Sequence, residues 1–496
     1  MPQPRTDVDI LIVGAGPVGL FLANECARRG LRFRIIESKP GQSEHSKALA
    51  IFPRTMEIFD MAGVVSPFLE RANRVTEVAM ITHGRRLAHM HFEPDQSPYS
   101  FVSMVPQDVT EKLLVEELQR RAGFPEYETT FISAEQQGNS VIATLDHKGQ
   151  QSKCTASFVV GCDGAHSAVR HALNIPFEGG EYAPSFALAD IETNATLPST
   201  EMQICPSEFG PLAIFPMSAT RRRIVATVDH ADNDAPSLDL VRRLLAERAP
   251  KEIEALSLNW SSYFRIHHRH AKTLRGGQMF LAGDAAHIHS PFGGQGMNTG
   301  LHDIWNLVWK LDLFLRGHGN QQLLDSYNEE RLPIIKSVIE TTDQMTKALG
   351  TPNKFAQLLR DAVIPMVSRL APFQHAFVQR LSELGIAYHG SPIVEGPGKR
   401  YFDDSIRGGK GICSRFLLVL EYEAKPSAKE AAKQLAVSFK DVLELRSGRQ
   451  KGITLVRPDG YIAYASHEDS ATALKHVRVL LERQTTAEST LATKSA

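Results

Sequence analysis

The sequence predicts an α/β chain that opens with a Rossmann-type nucleotide-binding unit, carries an inserted mixed β-sheet and ends in a smaller α/β unit. Three observations predict it. A short apolar run over residues 10–13 leads into Gly14-Ala-Gly-Pro-Val-Gly19, a helical stretch to Arg29 and a second apolar run at Phe33–Ile36. Residues 76–102 and 181–274 read as strand-rich excursions between helical stretches. A Gly-, Pro- and Ser-rich linker over 390–411 sets off a compact strand and helix pattern behind it.

The first run is short and apolar, as a buried parallel strand is. Gly30 stops the helix that follows, and the second strand ends at Glu37. Helix is expected over 45–75, including 54–61, and again over 108–121. Strands are expected over 76–82 and 87–92, and then through 129–161. One helix, 238–249, interrupts the strand-rich 181–274. Another short strand precedes Gly283-Asp284. Leu301, Ile304, Leu307, Val308, Leu311 and Leu315 fall at helical spacing, which predicts a helix over 298–315. Residues 322–386 read as helical. Behind the linker come a strand at 416–420, a helix at 427–435, a strand at 441–445, a hairpin around Arg457-Pro-Asp-Gly460 and a helix at 470–483.

Composition removes several classes. The chain has 496 residues, 42% hydrophobic and 22% charged, the balance of a globular protein with two to four domains. A net charge of −1 supplies no global field for nucleic acid or an anionic membrane. Five scattered cysteines form no CxxC or Cys/His spacing, which argues against structural zinc and disulfides and fits a reducing cytoplasm. The uncharged run 10–23 is too short to span a bilayer and lacks a basic leader, so a soluble protein is expected.

Three motifs carry chemistry. In the first, Gly14 permits a tight turn, Gly16 lets a pyrophosphate approach the backbone and Gly19 lets helix and strand pack closely. Pro17 and Val18 sit between them at the helix N-terminus, which faces the phosphates. Glu37, at the ~20-residue spacing expected, accepts from a ribose hydroxyl and disfavours a 2′-phosphate. The site should therefore hold FAD or NAD, with Ser38 and Lys47 beside it. The second motif is Gly161-Cys-Asp-Gly-Ala-His-Ser-Ala-Val-Arg170, in which Asp163 either contacts cofactor or only caps a helix. The third is Gly283-Asp284-Ala-Ala-His287, then Ser290-Pro291-Phe-Gly-Gly-Gln-Gly-Met-Asn298. Its Gly-Asp can place a carboxylate on a sugar hydroxyl. Its glycine-rich loop, through Gly294, Gly296, Met297 and Asn298, ends at a helix terminus that can stabilise negative charge on a reduced flavin. His287 with His289, and His267, His268 and His270, show no third ligand spacing, so no metal is expected. The run Arg221-Arg222-Arg223 reads as a solvated turn.

Taken together, the order and wording of these motifs resemble the FAD-dependent aromatic hydroxylases, the single-component flavoprotein monooxygenases. Gln107 matches that family's flavin-contacting Gln, Arg54 its Arg-Thr-x-Glu helix, and Tyr327 with Arg331 its Tyr-x-x-Glu-Arg segment. The resemblance implies that Asp284 holds the FAD ribityl chain. It also implies that Asp163 supports the pyrophosphate and productive NAD(P)H binding, and that Pro291 lies at the oxygen-reacting face. It implies non-covalent FAD, NAD(P)H as reductant, and O2 added to the flavin as a C4a-hydroperoxide that hydroxylates a phenolic or polyketide ring. No residue stands out as the phenol's base. The implied division is an FAD-binding domain of 1–75, 103–180 and 275–390, a substrate sheet of 76–102 and 181–274, and a tail at 485–496. Residues 400–484 resemble a thioredoxin-like appendage through Leu-Val-Arg-Pro-Asp-Gly-Tyr-Ile-Ala. Without CxxC, a structural or homodimer-contact role fits it better than a redox one. Two rivals remain: an oxygenase acting on a non-aromatic substrate or inactivating an antibiotic, and a non-catalytic flavin-bearing protein.

Overall fold

Parallel strands with short apolar sequences pair at the centre of the N-terminal sheet. In this computed structural model, which describes residues 6–43, 46–93, 97–194, 197–229, 231, 234–290, 294–349, 354–409, 413–468 and 471–485, Val8–Val13 lies between Phe33–Ile36 and Gln150–Gly161. Met279–Leu281 pairs in parallel on the far side of Gln150–Gly161. The registers match Val13 with Ile36 and Gly161, and Gly161 with Leu281. All four strands therefore end at one level, and Gly14, Glu37, Cys162 and Gly283 emerge along the same carboxyl edge, where open α/β sheets bind ligands. The hairpin Thr129–Gln137 and Ser140–His147 extends the sheet antiparallel.

Helix Pro17–Arg29 starts with Pro at its first position and ends on Gly30 in the left-handed region, a stop the sequence announces. Gln107–Arg121 packs against it. The helix expected over 298–315 begins earlier, at Gly296, and runs to Leu315. The expected helical stretch 322–386 divides into Gln321–Leu349, Lys354–Val367 and Ala371–Leu381.

The second sheet has eight strands, in the order His287–Ile288, Ala255–Ala271, Phe177–Thr193, Arg221–Val228, Leu212–Pro216, Glu201–Cys205, Glu77–Thr82 and Arg85–His91. Successive side chains alternate faces. Ala187, Ala189, Ile224 and Ala226 pack under helix Leu238–Arg248. Phe186, Leu188, Ala213 and Val225 lie on the other face, with Phe215, Trp260 and Phe264 packed against them. Arg222 and Arg223, expected in a solvated turn, are instead buried inside a strand. Arg223 forms a two-oxygen pair with Asp190, and Arg222 donates to the Leu197 carbonyl; the partners explain the burial.

The C-terminal sheet runs Leu443–Gly448, Phe416–Glu421, Ile453–Val456, Ile462–Ser466, with its first pair parallel and the others antiparallel. Its Phe416, Leu418 and Leu420 share an apolar cluster with Trp309 and Leu313 of the Gly296–Leu315 helix. Leu417, Val419 and Val456 join the N-terminal core. The expected linker is therefore stitched down: Arg400 pairs with Glu57 at 2.7 Å, Arg407 with Asp60 at 2.7 Å, and Tyr401 N–H donates to the Gly460 carbonyl. Thr485, expected in the tail, donates to the Leu481 carbonyl; the remainder of the tail lies outside the described residues.

Candidate cofactor site

The glycines of the first motif differ in what they permit. Gly14 has φ 102°, and a Cβ there would lie 2.4 Å from the Cys162 carbonyl oxygen. A Cβ on Gly19 would lie 1.9 Å from the Gly14 oxygen. Both positions are glycine because backbone meets backbone. Gly16 is different: nothing lies within 4 Å of its Cβ position, so its space opens outward. Helix Pro17–Arg29 has no side-chain cap, and its ladder begins with Leu20 N–H to the Gly16 carbonyl. The Val18 and Gly19 N–H groups stand outside that ladder at the positive end of the helix. Glu37 is oriented by the Ala15 N–H at 2.9 Å and the Lys39 N–H at 3.0 Å, with the Ser38 hydroxyl at 3.2 Å.

The other two motifs close on the first. Asp163 accepts from Val169 N–H at 3.2 Å, while its Oδ1 is buried with no partner among the described residues. Burial pushes its carboxyl up, and the Ser167 hydroxyl and Val169 amide only partly oppose this. Arg170 donates to the Ala285 carbonyl at 3.0 Å and so ties the second motif to the third. Cβ atoms on Gly283 and Gly300 would meet Val18 Cγ2 at 2.9 and 2.7 Å, so these glycines admit the first motif's valine.

Asp284 is open to solvent, yet its surroundings are closed enough that burial pushes its carboxyl up; His287 and Lys47 pull it back. It is thus a carboxylate in a concavity, with the exposed Lys47 within electrostatic reach. His289 donates from Nδ1 to the Ser290 carbonyl at 3.1 Å, and burial pushes its imidazole down to about 4.

Four expected cofactor residues are engaged elsewhere. Arg54 is fully buried and spent on Glu57 at 3.0 Å, the Asp459 carbonyl at 3.1 Å and the Tyr461 ring. Asn298 takes Phe52 N–H at 3.0 Å and the Thr55 hydroxyl at 2.8 Å, and donates to the Ala50 and Gly294 carbonyls. Its side chain positions the loop, leaving the helix terminus as what faces outward. The Met297 side chain packs into the core. Gln107 exchanges hydrogen bonds with Ala48 at 3.0 and 3.1 Å and donates to Glu111, holding the segment that carries Lys47. Gly294, at φ 62°, and Gly296 frame the start of the Gly296–Leu315 helix, whose first residues carry no side-chain cap. Pro291 lies outside the described residues.

Sequence reading missed the hub beneath the site. Asp303, wholly buried, accepts from Arg331 at 2.7 Å, from Gly283 N–H at 3.1 Å and faces His287 Nε2 at 2.8 Å. Burial would push its carboxyl up, but Arg331 and His287 hold it below the usual range. The available signal was an acid on the same helical face as Gly296, Gly300 and Leu307. Tyr327 donates to the Leu281 carbonyl at 2.7 Å, fixing the strand end before Gly283. A second grouping not foreseen is Glu77, His89 and Glu201, whose oxygen and nitrogen atoms gather within 4.8 Å; Arg86 already pairs with Glu201 at 2.9 Å.

The aromatic face of the eight-stranded sheet looks toward the cofactor side, because Arg223 on that face donates to the Lys47 and Ala48 carbonyls, both at 3.1 Å. Its Phe186 and Phe264 rings stack at 5.6 Å.

These features fit FAD. The opening at Gly16, the two uncapped helix ends, the orphaned Asp163 oxygen and the Asp284 carboxylate supply what a pyrophosphate, a ribityl chain and a flavin edge require. No described helix is long and apolar enough to cross a membrane. Residues 7–342 match the family described as FAD binding domain. An uncharacterised aromatic compound monooxygenase of Bacillus subtilis is 34% identical over 480 residues, covering 92% of this chain and 94% of that protein. The 12-dehydrotetracycline 5-monooxygenase/anhydrotetracycline 6-monooxygenase of Streptomyces rimosus subsp. rimosus is 31% identical, covering 94% and 96%. The solved anhydrotetracycline hydroxylase OxyS of Streptomyces rimosus superposes with a TM-score of 0.76 at 27% identity, covering 94% of this chain and 98% of that one. With its three motifs converging on one sheet edge and its likeness running nearly end to end, the chain belongs to the FAD-dependent aromatic monooxygenases.

Proposed function

We propose that this enzyme hydroxylates a phenolic or polyketide aromatic ring, using O2 and NAD(P)H, by the route the resemblance implies. The observation that carries the reading is the stacked aromatic face of the large sheet, anchored through Arg223 to the segment that brings Lys47 near Asp284. A flat aromatic substrate fits between such a face and a flavin. Bound FAD would pass the electrons of NAD(P)H to O2 and so supply activated oxygen.

The chain's residues do the rest. Glu37 accepts from the adenosine ribose, the Val18 and Gly19 amides face the pyrophosphate, and Asp284 accepts from the ribityl chain. Asp163 supports the pyrophosphate. The apolar side chains Phe186, Leu188 and Phe264 keep water from the reacting oxygen. Residues 76–102 and 181–274 act as the substrate domain, and 1–75, 103–180 and 275–390 as the FAD domain.

The chain contains a single G-x-G-x-x-G fingerprint, and it serves the FAD adenosine. NAD(P)H therefore binds transiently near Asp163, His166 and Arg170, and reduces the flavin quickly only when substrate is present. Stopped-flow reduction with and without a fitting phenol checks this; equal, fast reduction in both refutes the gating. The function itself is tested with a phenolic library, following substrate-dependent NAD(P)H oxidation, O2 uptake and a product heavier by one oxygen atom. NAD(P)H oxidation that no aromatic compound stimulates, with no oxygenated product, overturns the reading.

A further inference from the structure

We propose that the turn 457–460 of the C-terminal unit is a clamp that positions the FAD-holding loop and helix, so that FAD affinity depends on Arg457. The proposal rests on the FAD site and not on the substrate assigned above, so a failed hydroxylation assay leaves it standing.

Arg457-Pro-Asp-Gly460 reads from sequence as a hairpin connection. The structure turns it inward: Arg457 is 0% exposed and Asp459 1%. Arg457 grips both carboxylate oxygens of Glu330 and also Asp459. Glu330, on helix Gln321–Leu349, further takes Lys310 at 2.8 Å and Asn306 at 2.7 Å, both from helix Gly296–Leu315. Burial would push Glu330 up, but Arg457 and Lys310 overturn that and hold it well below the usual carboxylate range.

Two short paths lead from this turn to the cofactor. Arg331, the residue after Glu330, donates to Asp303 at 2.7 Å and to the Thr299 carbonyl at 3.2 Å. Asp303 in turn holds Gly283 N–H and His287, on either side of Asp284. On the second path the Asp459 carbonyl accepts from Trp305 Nε1 at 2.9 Å and from Arg54 at 3.1 Å. Thr55, next to Arg54, donates to Asn298, which fixes the Gly294 carbonyl. Helix Gly296–Leu315, through Trp305, and helix Pro53–Ala62, through Arg54, are thus tied to one backbone carbonyl. A buried ion cluster holds together only when each charge keeps its partners, so it has one arrangement and not a continuum. This gives the C-terminal unit a role that needs no redox cysteine, and makes Arg457 a positioning residue.

The test uses the full-length protein and reads the FAD dissociation constant, the visible circular dichroism of bound flavin and the melting temperature without FAD. Arg457→Met should weaken FAD binding within the about 5- to 150-fold range typical of coupled sites and alter the flavin signal. Arg457→Lys should lose less. Leu418→Ala, in the apolar core of the same unit, is the control: it should lower the melting temperature and leave FAD affinity within about twofold. Equal loss of FAD affinity per degree of melting in Arg457→Met and Leu418→Ala overturns the proposal. Coupling is reciprocal, so FAD should also slow amide exchange at Arg457 and Gly460 in the unmodified protein. If Arg457→Met does not fold, that measurement decides, and unchanged exchange at the turn overturns the clamp.

Discussion

The cofactor edge and the cluster around Glu330 both crowd acids into protein, with opposite outcomes. At the edge, burial pushes Asp163 and Asp284 up, and among the described residues no guanidinium hydrogen-bonds to either. In the cluster, the same burial acts on Glu330 and Asp303, yet Arg457 and Arg331 pull both below the ordinary range. Two parallel bonds from Arg457 to Glu330, or one from Arg331 to Asp303 with His287 beside it, outweigh desolvation; a hydroxyl and an amide do not. The contrast teaches where to look for function. An acid with its hydrogen-bonding capacity left over awaits a ligand, and an acid saturated by arginine is architecture.

Breaking the saturated side should have the largest effect. Glu330→Ala leaves Arg457 and Lys310 without their shared carboxylate and should cost about 3–5 kcal/mol of stability. Denaturant unfolding with FAD present would measure it, and an unchanged midpoint would show the cluster to be passive. Breaking the open side should spare stability and cost ligand. Asp284→Ala should lose ~1.5–3 kcal/mol of FAD affinity, the worth of a charge-assisted hydrogen bond, with the FAD-free melting temperature unchanged. Asp163→Ala should lose less FAD affinity and some stability, because Asp163 also holds the Val169 amide. Equal FAD losses in the two variants would sink the distinction.

Gly16→Ala sharpens the comparison within one turn. Its φ of −74° suits alanine, so the FAD-free protein should gain about 0.4–1 kcal/mol while FAD affinity falls. Gly19→Ala, which meets the Gly14 oxygen, should instead fail to fold normally; isothermal FAD titration and melting curves separate the two.

A separate test concerns pH. Glu383 is buried beside His302 Nε2, 3.5 Å away, and burial, opposed by Arg331, pushes its carboxyl up to about 8 from 4.5. The folded chain therefore binds more protons than the unfolded one between those values, and this group's contribution to stability falls as pH rises through that window. Glu383→Gln should flatten the decline of melting temperature between about pH 5 and 8. A slope identical to that of the unmodified protein would place the proton elsewhere.

By itself the sequence determined the local order of the molecule. Strands at Phe33–Ile36 and Ile453–Val456 and the stop at Gly30 follow from apolar runs and glycine punctuation, which act over a few residues. The turn through Gly14, Gly16 and Gly19 was legible for the same reason: a strand-to-helix turn this tight demands glycine at fixed spacing. Only the tertiary structure decided where the charges went. Nothing local distinguishes Arg54, Arg223 and Arg457 from solvated arginines. Their burial depends on partners at Asp459, Asp190 and Glu330, far away in the chain or across a strand. Asn298 likewise looked like a ligand residue until Phe52 and Ala50 claimed its amide. Periodicity reports which face of an element is buried. Whether a charge on that face meets its partner or a cofactor is settled only when distant segments pack, because the electrostatic energy of a buried group is set by what lies within a few ångströms of it in space.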